Sequence, residues 1–577
     1  YVEVDFFPSR RAVETQGRYR LLNERTQACD SLLIWHPAKL NTIYELNIPH
    51  NVLRSDTIAG LAIVDLILLD KPMAPGDSIE MRFEQANNES WLQRDRLIKG
   101  NGTLVDDDLL PRLGFWIDYV RRELNMQVRS EKPLPSDSLA RMESFTAGDS
   151  DWINYEAIVS TEADQIAITA GELQKTWSEG KRNFYHYKTA APIPHTFAIA
   201  SGRYAVLRDN WNGVKLELYY HPGHEYNFDR MMRGMNAALS YCSDNFSPYQ
   251  FSYLRLVEFA QTGRVSAHAY PGVMPFGEGA GFIADVDDSV SGGVDYPFST
   301  VIHETAHQWW PYQILPADVR GAKVLSESMA EYVDVQVTRA TYGEVKMRRY
   351  LKHSRRQYLR GRAGDRREET PLMLTYPEQN HLNYAKGVLS FRTISEKIGE
   401  DVFNKVLRSI ATEYRLKGAP FVTTEQFYAE LIENTPDSLR YLVNDMLKAI
   451  IFYDNRVLNA TAIRLDDDRY QVDVELMVRK FAADAVDSDS MQSFLLDSEE
   501  LKTMPLNDYV DIAIFGEANS AGENNSSALY FKDMRVDKNL ISLSVIVDEM
   551  PATMHVDPWF RLMEKNIKDY SLDVVIK

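Results

Sequence analysis

The chain has 577 residues, room for about three or four domains, and its 44% hydrophobic and 25% charged content lets it bury large cores. Its net charge of −19, with no basic patch to offset the acid, excludes nucleic acid as a partner. The longest apolar run, near Ile58–Leu69, is interrupted by Asp65, so nothing in the sequence reads as a membrane span.

Residues 1–205 read as mostly β. Hydrophobic alternation marks Gly17–Asn23 and Asp77–Glu84, and turn signals at Ala74-Pro75-Gly76-Asp77 and Lys99-Gly100-Asn101-Gly102 separate the runs. Strands joined by short turns over such a length predict a large bent sheet or sandwich. The two cysteines, Cys29 and Cys242, fall in segments assigned to different domains and read as free thiols.

Residues 206–452 carry the chemistry. Strands are expected at Val214–Tyr220 and Tyr253–Phe259, then helices. Within them stands His303-Glu304-Thr305-Ala306-His307. Histidines four apart on a helix project from one face, so both rings can close on one zinc ion, with Glu304 placed to reach its water. Phe298, Val301 and Ile302 lead into the motif and Gln308, Trp309 and Trp310 follow, which predicts a mostly buried helix. Histidines there need a polar purpose, because burial of an unpaired polar group costs free energy.

A third ligand is expected from a second helix. Leu325, Met329, Tyr332 and Val333 form an apolar stripe, and Glu327 lies between the first two. Glu331 and Asp334 follow at four and seven positions and could accept the outer N–H of a ligating histidine, with Asp334 preferred. The alternative for both is a solvated acidic helix face. Further on, Val388, Phe391, Ile394 and Ile398, then Val402, Phe403, Val406, Leu407 and Ile410, recur at helical spacing. Thr423-Thr424-Glu425-Gln426 has the form of a capping start. The arginines of Arg355–Arg367 are followed at once by acids and read as a solvated loop. Residues 453–577 return to β, with strands expected in Tyr470–Val478, Tyr509–Phe515 and Leu540–Val547 and a polar loop at Gly516–Ser527.

The motif, its downstream Leu-Ser-Glu-Ser-Met-Ala-Glu-Tyr-Val and the trailing His-Gln-Trp-Trp together resemble the aminopeptidase N family of thermolysin-like zinc metallopeptidases, the gluzincins. Nineteen residues separate His307 from Glu327, one more than the family's usual gap. Asn383-Tyr384-Ala385-Lys386-Gly387 resembles the family's Tyr-x-Lys-Gly segment, which implies that Tyr384 donates its hydroxyl to the oxyanion. The family also has Gly-x-Met-Glu-Asn on an edge strand whose glutamate holds the substrate's α-amine. Matched literally to Gly272-Val273-Met274, it puts Pro275 at the glutamate. Matched from Gly281-Phe282-Ile283, it puts Glu278 there, 25 residues before His303, and this second match is preferred.

The resemblance implies a multidomain α+β protein: an N-terminal β saddle (1–205), a thermolysin-like α/β zinc catalytic domain (206–452) and a C-terminal immunoglobulin-like β-sandwich (453–577). It implies one Zn2+ held by His303, His307 and Glu327, Glu304 as general base, and peptide substrates trimmed from the N-terminus by a zinc-activated water. An endopeptidase of thermolysin type would keep the ligands and ignore the amine. A catalytically silent zinc and peptide-binding module would have no use for Glu304 and Tyr384, both of which are present. The Ser136–Ser144 segment does not resemble the substrate motif usual in the first domain. The degenerate edge-strand motif resembles a bacterial branch fused to ABC-type permeases. That implies tethering to a membrane permease on the extracytoplasmic face, with Tyr1 opening a processed or excised piece. Oligomeric state is not legible from the sequence.

Overall fold

The computed structural model describes residues 1–37, 42–48, 51–58, 62–89, 97–114, 132–146, 152–260, 267–286, 295–365, 367–483, 501–517, 528–564 and 569–577. Most of the Gly516–Ser527 loop lies outside the described residues. The chain divides into two units. One holds Tyr1–Asp285, Tyr296–Val319 and Ala411–Val422, and the other holds Val286–Asp295, Arg320–Ile410 and Thr423–Lys577.

The N-terminal part of the first unit is β-rich. A seven-stranded sheet runs in the order Glu172–Glu179, Arg182–Lys188, Glu156–Glu162, Val2–Phe7, Ala12–Leu22, Ser78–Asn88 and Thr42–Asn47. Its pairings are antiparallel except for Val2–Phe7 on Glu156–Glu162. Strand alternation sets its buried face: Met81 and Phe83, in the alternating run read in the sequence, join Val2, Val4, Phe6, Ala157 and Val159 in one core. The Ala74–Asp77 turn closes by the Asp77 N–H donating to the Ala74 carbonyl at 2.9 Å.

The same unit carries a four-stranded sheet in the order Ala205–Trp211, Val214–Tyr220, Tyr253–Phe259 and Val273–Gly277. The last two junctions are parallel. Tyr253–Phe259 is buried at every residue, as expected of a strand covered on both faces. Two helices, Phe228–Asn245 and Tyr296–Ala306, pack together. Gly234 permits their approach, since a Cβ there would lie 3.0 Å from the Phe298 carbonyl oxygen.

The second unit is helical and then β. Glu327–Gly364 is a long helix broken at Gly343, where φ is 81°. Helices Gly387–Ile398 and Glu400–Tyr414 carry the apolar stripes read in the sequence. Helix Thr424–Glu433 opens on a capping box, with Thr423 bonded to the Glu425 N–H and Gln426 reaching back to the Thr423 N–H. The Arg355–Arg367 segment is a correction to the expected loop, because residues to Gly364 are helical. Arg355 is 3% exposed, and its guanidinium lies 4.0 Å from the Phe560 ring centroid. The stem of an arginine covers apolar surface well, so a run of them does not by itself mark a solvated segment.

The C-terminal residues form a five-stranded sheet around Ile451–Arg464 and Tyr470–Ala483 and a four-stranded sheet around Asp508–Phe515, sharing one apolar core. The chain is therefore multidomain, with a β-rich N-terminal region, a central helical region and C-terminal sheets, as the sequence implies.

Within the second unit, Gly387 fixes how closely its helix meets the helix of Glu327. A Cβ at Gly387 would overlap Ser328 Oγ, and that hydroxyl donates to the Asn383 carbonyl at 2.5 Å. Gly387→Ala should therefore lower stability by about 1–3 kcal/mol, the usual cost of overpacking. A urea midpoint equal to that of the parent chain would show that this contact is looser than described.

Candidate metal centre

Helix Tyr296–Ala306 is apolar on the side that enters the core, with Phe298, Val301 and Ile302 all at most 1% exposed. That burial carries His303, Glu304 and His307 inward to 8, 7 and 7% exposure. The regular helix ends at Ala306, one residue before the second histidine, and Gln308, Trp309 and Trp310 form a turn rather than the expected helix. The His307 N–H still donates to the His303 carbonyl at 3.2 Å, so helical spacing survives across the motif.

The two Nε2 atoms lie 3.1 Å apart. His307 Nδ1 is 2.6 Å from the Trp310 carbonyl oxygen. A carbonyl only accepts, so Nδ1 carries the hydrogen, and a neutral His307 ring presents a bare Nε2 to its neighbour. That is the tautomer a metal ligand needs, and a backbone carbonyl is a common device for fixing it. Glu327, the first residue of its helix, is half-buried. His303 and His307 belong to the first unit, and Glu327 opens a helix of the second. Two imidazoles and a carboxylate are the donor set of a zinc site with an open position, so the residues present fit that ion.

The residues after the motif hold the neighbouring strand. Gln308 is fully buried. Its side-chain oxygen accepts the Gly272 N–H at 2.8 Å, and its amide donates to the Tyr270 carbonyl at 3.0 Å. Tyr312 donates to the Ala269 carbonyl at 2.5 Å, and Thr305 Oγ1 lies 3.6 Å from Met274 Sδ. Sequence reasoning missed this work of Gln308. A buried glutamine directly after the motif was the signal available.

The strand so held, Val273–Gly277, is the last in its sheet. Pro275 pairs with Val257, inside the strand, while Glu278 is half-buried at the strand's end and opens a single π-helical turn, Glu278–Phe282. The strand's outer side is met by the chain just before it: the His268 N–H donates to the Pro275 carbonyl at 3.0 Å, and Tyr270 and Val273 bridge each other.

Tyr384 is half-buried in the π-helical segment His381–Lys386, and Lys323 Nζ lies 5.9 Å from its ring centroid. Two residues on, Lys386 Nζ is buried 2.6 Å from Glu369 Oε1, which also accepts the Tyr358 hydroxyl at 2.7 Å. Asp334, 1% exposed, accepts the Thr338 hydroxyl at 3.0 Å, and Glu331 accepts the Tyr350 hydroxyl at 2.5 Å.

Burial pushes the Glu369 carboxyl up, but the charges of Lys386 and Arg362 with the bonds they donate outweigh it, and the group sits below the ordinary glutamate range. A depressed folded value contributes stability that is present above the unfolded value and is lost as pH falls through the folded one. Acid unfolding below about pH 4.3, the ordinary glutamate value, should therefore weaken in Glu369→Gln relative to the parent. Lys386→Ala should cost up to about 3–5 kcal/mol at neutral pH by removing one of the two cations that compensate a buried carboxylate, with Arg362 remaining. Denaturant titrations across pH check both, and parallel acid curves for the parent and Glu369→Gln would contradict the first.

Comparison with known proteins agrees with this geometry. Residues 237–446 match the model of the Peptidase family M1 domain. No curated protein matches the chain. The M1 zinc metallopeptidase of Deinococcus radiodurans shares the fold at 13% identity and a TM-score of 0.55, over 78% of this chain and 92% of that one. A variant of it bound to a Tyr-Ser-Ala substrate superposes with a TM-score of 0.54, at 13% identity and the same coverage. Legionella pneumophila aminopeptidase A in complex with aspartic acid is similar over all of this chain and 59% of its own, at 12% identity and a TM-score of 0.57. The matched span contains the two motif histidines, Glu304, Glu327 and Tyr384, and over that span the chain is similar to the Peptidase family M1 domain.

Proposed function

We propose that the chain is a zinc aminopeptidase that releases residues one at a time from the N-terminus of peptides, using one ion held by His303, His307 and Glu327. The observation that carries the reading is the pair of buried imidazoles, Nε2 to Nε2 at 3.1 Å, with a buried Glu304 between them in sequence.

A bound zinc ion would supply Lewis acidity, polarising the scissile carbonyl and making water a stronger acid. Glu304 takes a proton from the attacking water and returns it to the departing amine, acting as base and then as acid. The Tyr384 phenol, a neutral donor at pH 7, hydrogen-bonds the developing oxyanion. Glu278 pairs with the substrate's ammonium group, and that contact counts residues from the amino end. Asp334, or else Glu331, would accept the outer N–H of a ligating histidine.

The competing reading is an endopeptidase, and Pro275 favours it, because it occupies the strand position where a literal match to the family motif would require a glutamate. The two are separated by a pair of peptides that differ only in an acetyl group on the N-terminus. The aminopeptidase should cut only the free peptide, and equal rates on both would leave the endopeptidase. Glu278→Ala should raise KM for the free peptide and narrow the difference between the pair.

Glu304→Gln should abolish turnover of aminoacyl fluorogenic substrates while zinc content, measured by mass spectrometry of the metal, stays at the parent level. A fully active Glu304→Gln chain would end the proposal. Tyr384→Phe should reduce kcat by about 10²–10³ with zinc retained, the typical loss for one oxyanion donor.

A further inference from the structure

A second set of metal-competent side chains lies in the first unit, away from the motif in sequence. His221-Pro222-Gly223-His224 follows the strand Val214–Tyr220, and Gly223 takes φ +99° so that the turn folds back on itself. The His224 N–H closes the turn on the His221 carbonyl at 3.1 Å. Both rings then face Glu258, which is fully buried near the end of strand Tyr253–Phe259. His221 Nδ1 lies 3.2 Å from Glu258 Oε2, and His224 Nδ1 contacts Oε1. The His221 N–H also donates to Oε2, at 2.5 Å.

We propose that His221, His224 and Glu258 form a second divalent-cation site, taking Zn2+ through two Nδ1 atoms and one carboxylate oxygen. His221 Nδ1 and Glu258 Oε2 have the separation such an ion requires, and His224 Nδ1, in hydrogen-bond contact with Oε1, would draw back as the ion enters. Bonds of about 2.0–2.1 Å in tetrahedral array put ligand atoms about 3.3 Å apart. The His221 and Glu258 atoms are at 3.2 Å, and one atom from each of the three residues lies within 4.8 Å of the others. Among the described residues no group holds the buried His221 Nε2, so the hydrogen can reside there and leave Nδ1 bare. The His224 side chain is 29% exposed, which gives an ion its route in and leaves room for solvent as fourth ligand.

The site has a structural role. It ties the turn before helix Phe228–Asn245 to a buried strand, and that helix packs through Gly234 on the helix of His303. An ion there fixes the base on which the motif helix rests.

The test is the zinc stoichiometry of the full chain, stripped with chelator, equilibrated with Zn(II) and desalted. The parent should hold two equivalents. His303→Ala combined with His307→Ala should hold one, and adding His224→Gln should remove it. Co(II) in the His303→Ala, His307→Ala chain should give the intense visible absorption of a four-coordinate ion. A folded His303→Ala, His307→Ala chain that binds no Zn(II) overturns the proposal. So does a single equivalent in the parent that His224→Gln leaves unchanged. One equivalent in both the parent and the double variant, lost with His224→Gln, upholds this site and sinks the motif site instead.

Discussion

Two buried imidazoles whose Nε2 atoms face each other at 3.1 Å are the constraint on which the remaining geometry turns. A carbonyl fixes the hydrogen of one ring on its far side, so the near side of that ring is a lone pair. Without a cation, the second ring must donate into that lone pair. With one, both lone pairs point at charge, and the cost of burying two polar rings is offset by ligation. The glycine that lets two helices touch, the glutamine that pins the adjoining strand and the threonine against Met274 all hold the backbone that carries those rings.

Much of this arrangement was legible in the amino-acid order, for identifiable reasons. Val214–Tyr220, Tyr253–Phe259 and Leu540–Val547 are strands with the very bounds read from β-branched and aromatic runs, since those side chains set both conformation and burial. The capping start at Thr423 was legible because its pattern is local. The end of the motif helix was not. Tryptophans report burial and say little about whether the backbone stays helical. Nor was the arginine-rich helix, whose partners Phe560 and Tyr570 come about 200 residues later in the chain. Charge counts cannot see a contact that distant.

The site was legible to different depths. A fixed interval between two histidines is a statement about one helix, and the helix delivers it. Which group fixes a ring tautomer depends on where the next carbonyl falls after the helix ends, and Trp310 entered the sequence reading only as an apolar neighbour. The pair His221 and His224 was overlooked because its third member, Glu258, is more than thirty residues away and reads as one of two charged residues in an otherwise apolar strand.

The strand Val273–Gly277 carries a consequence for what its free edge can pair with. A proline at its centre offers no N–H, and the carbonyl of that proline is already taken by His268. Little of the main-chain ladder that would grip an extended chain remains available along that stretch. An extended chain laid against that edge would therefore find few backbone groups left to pair with.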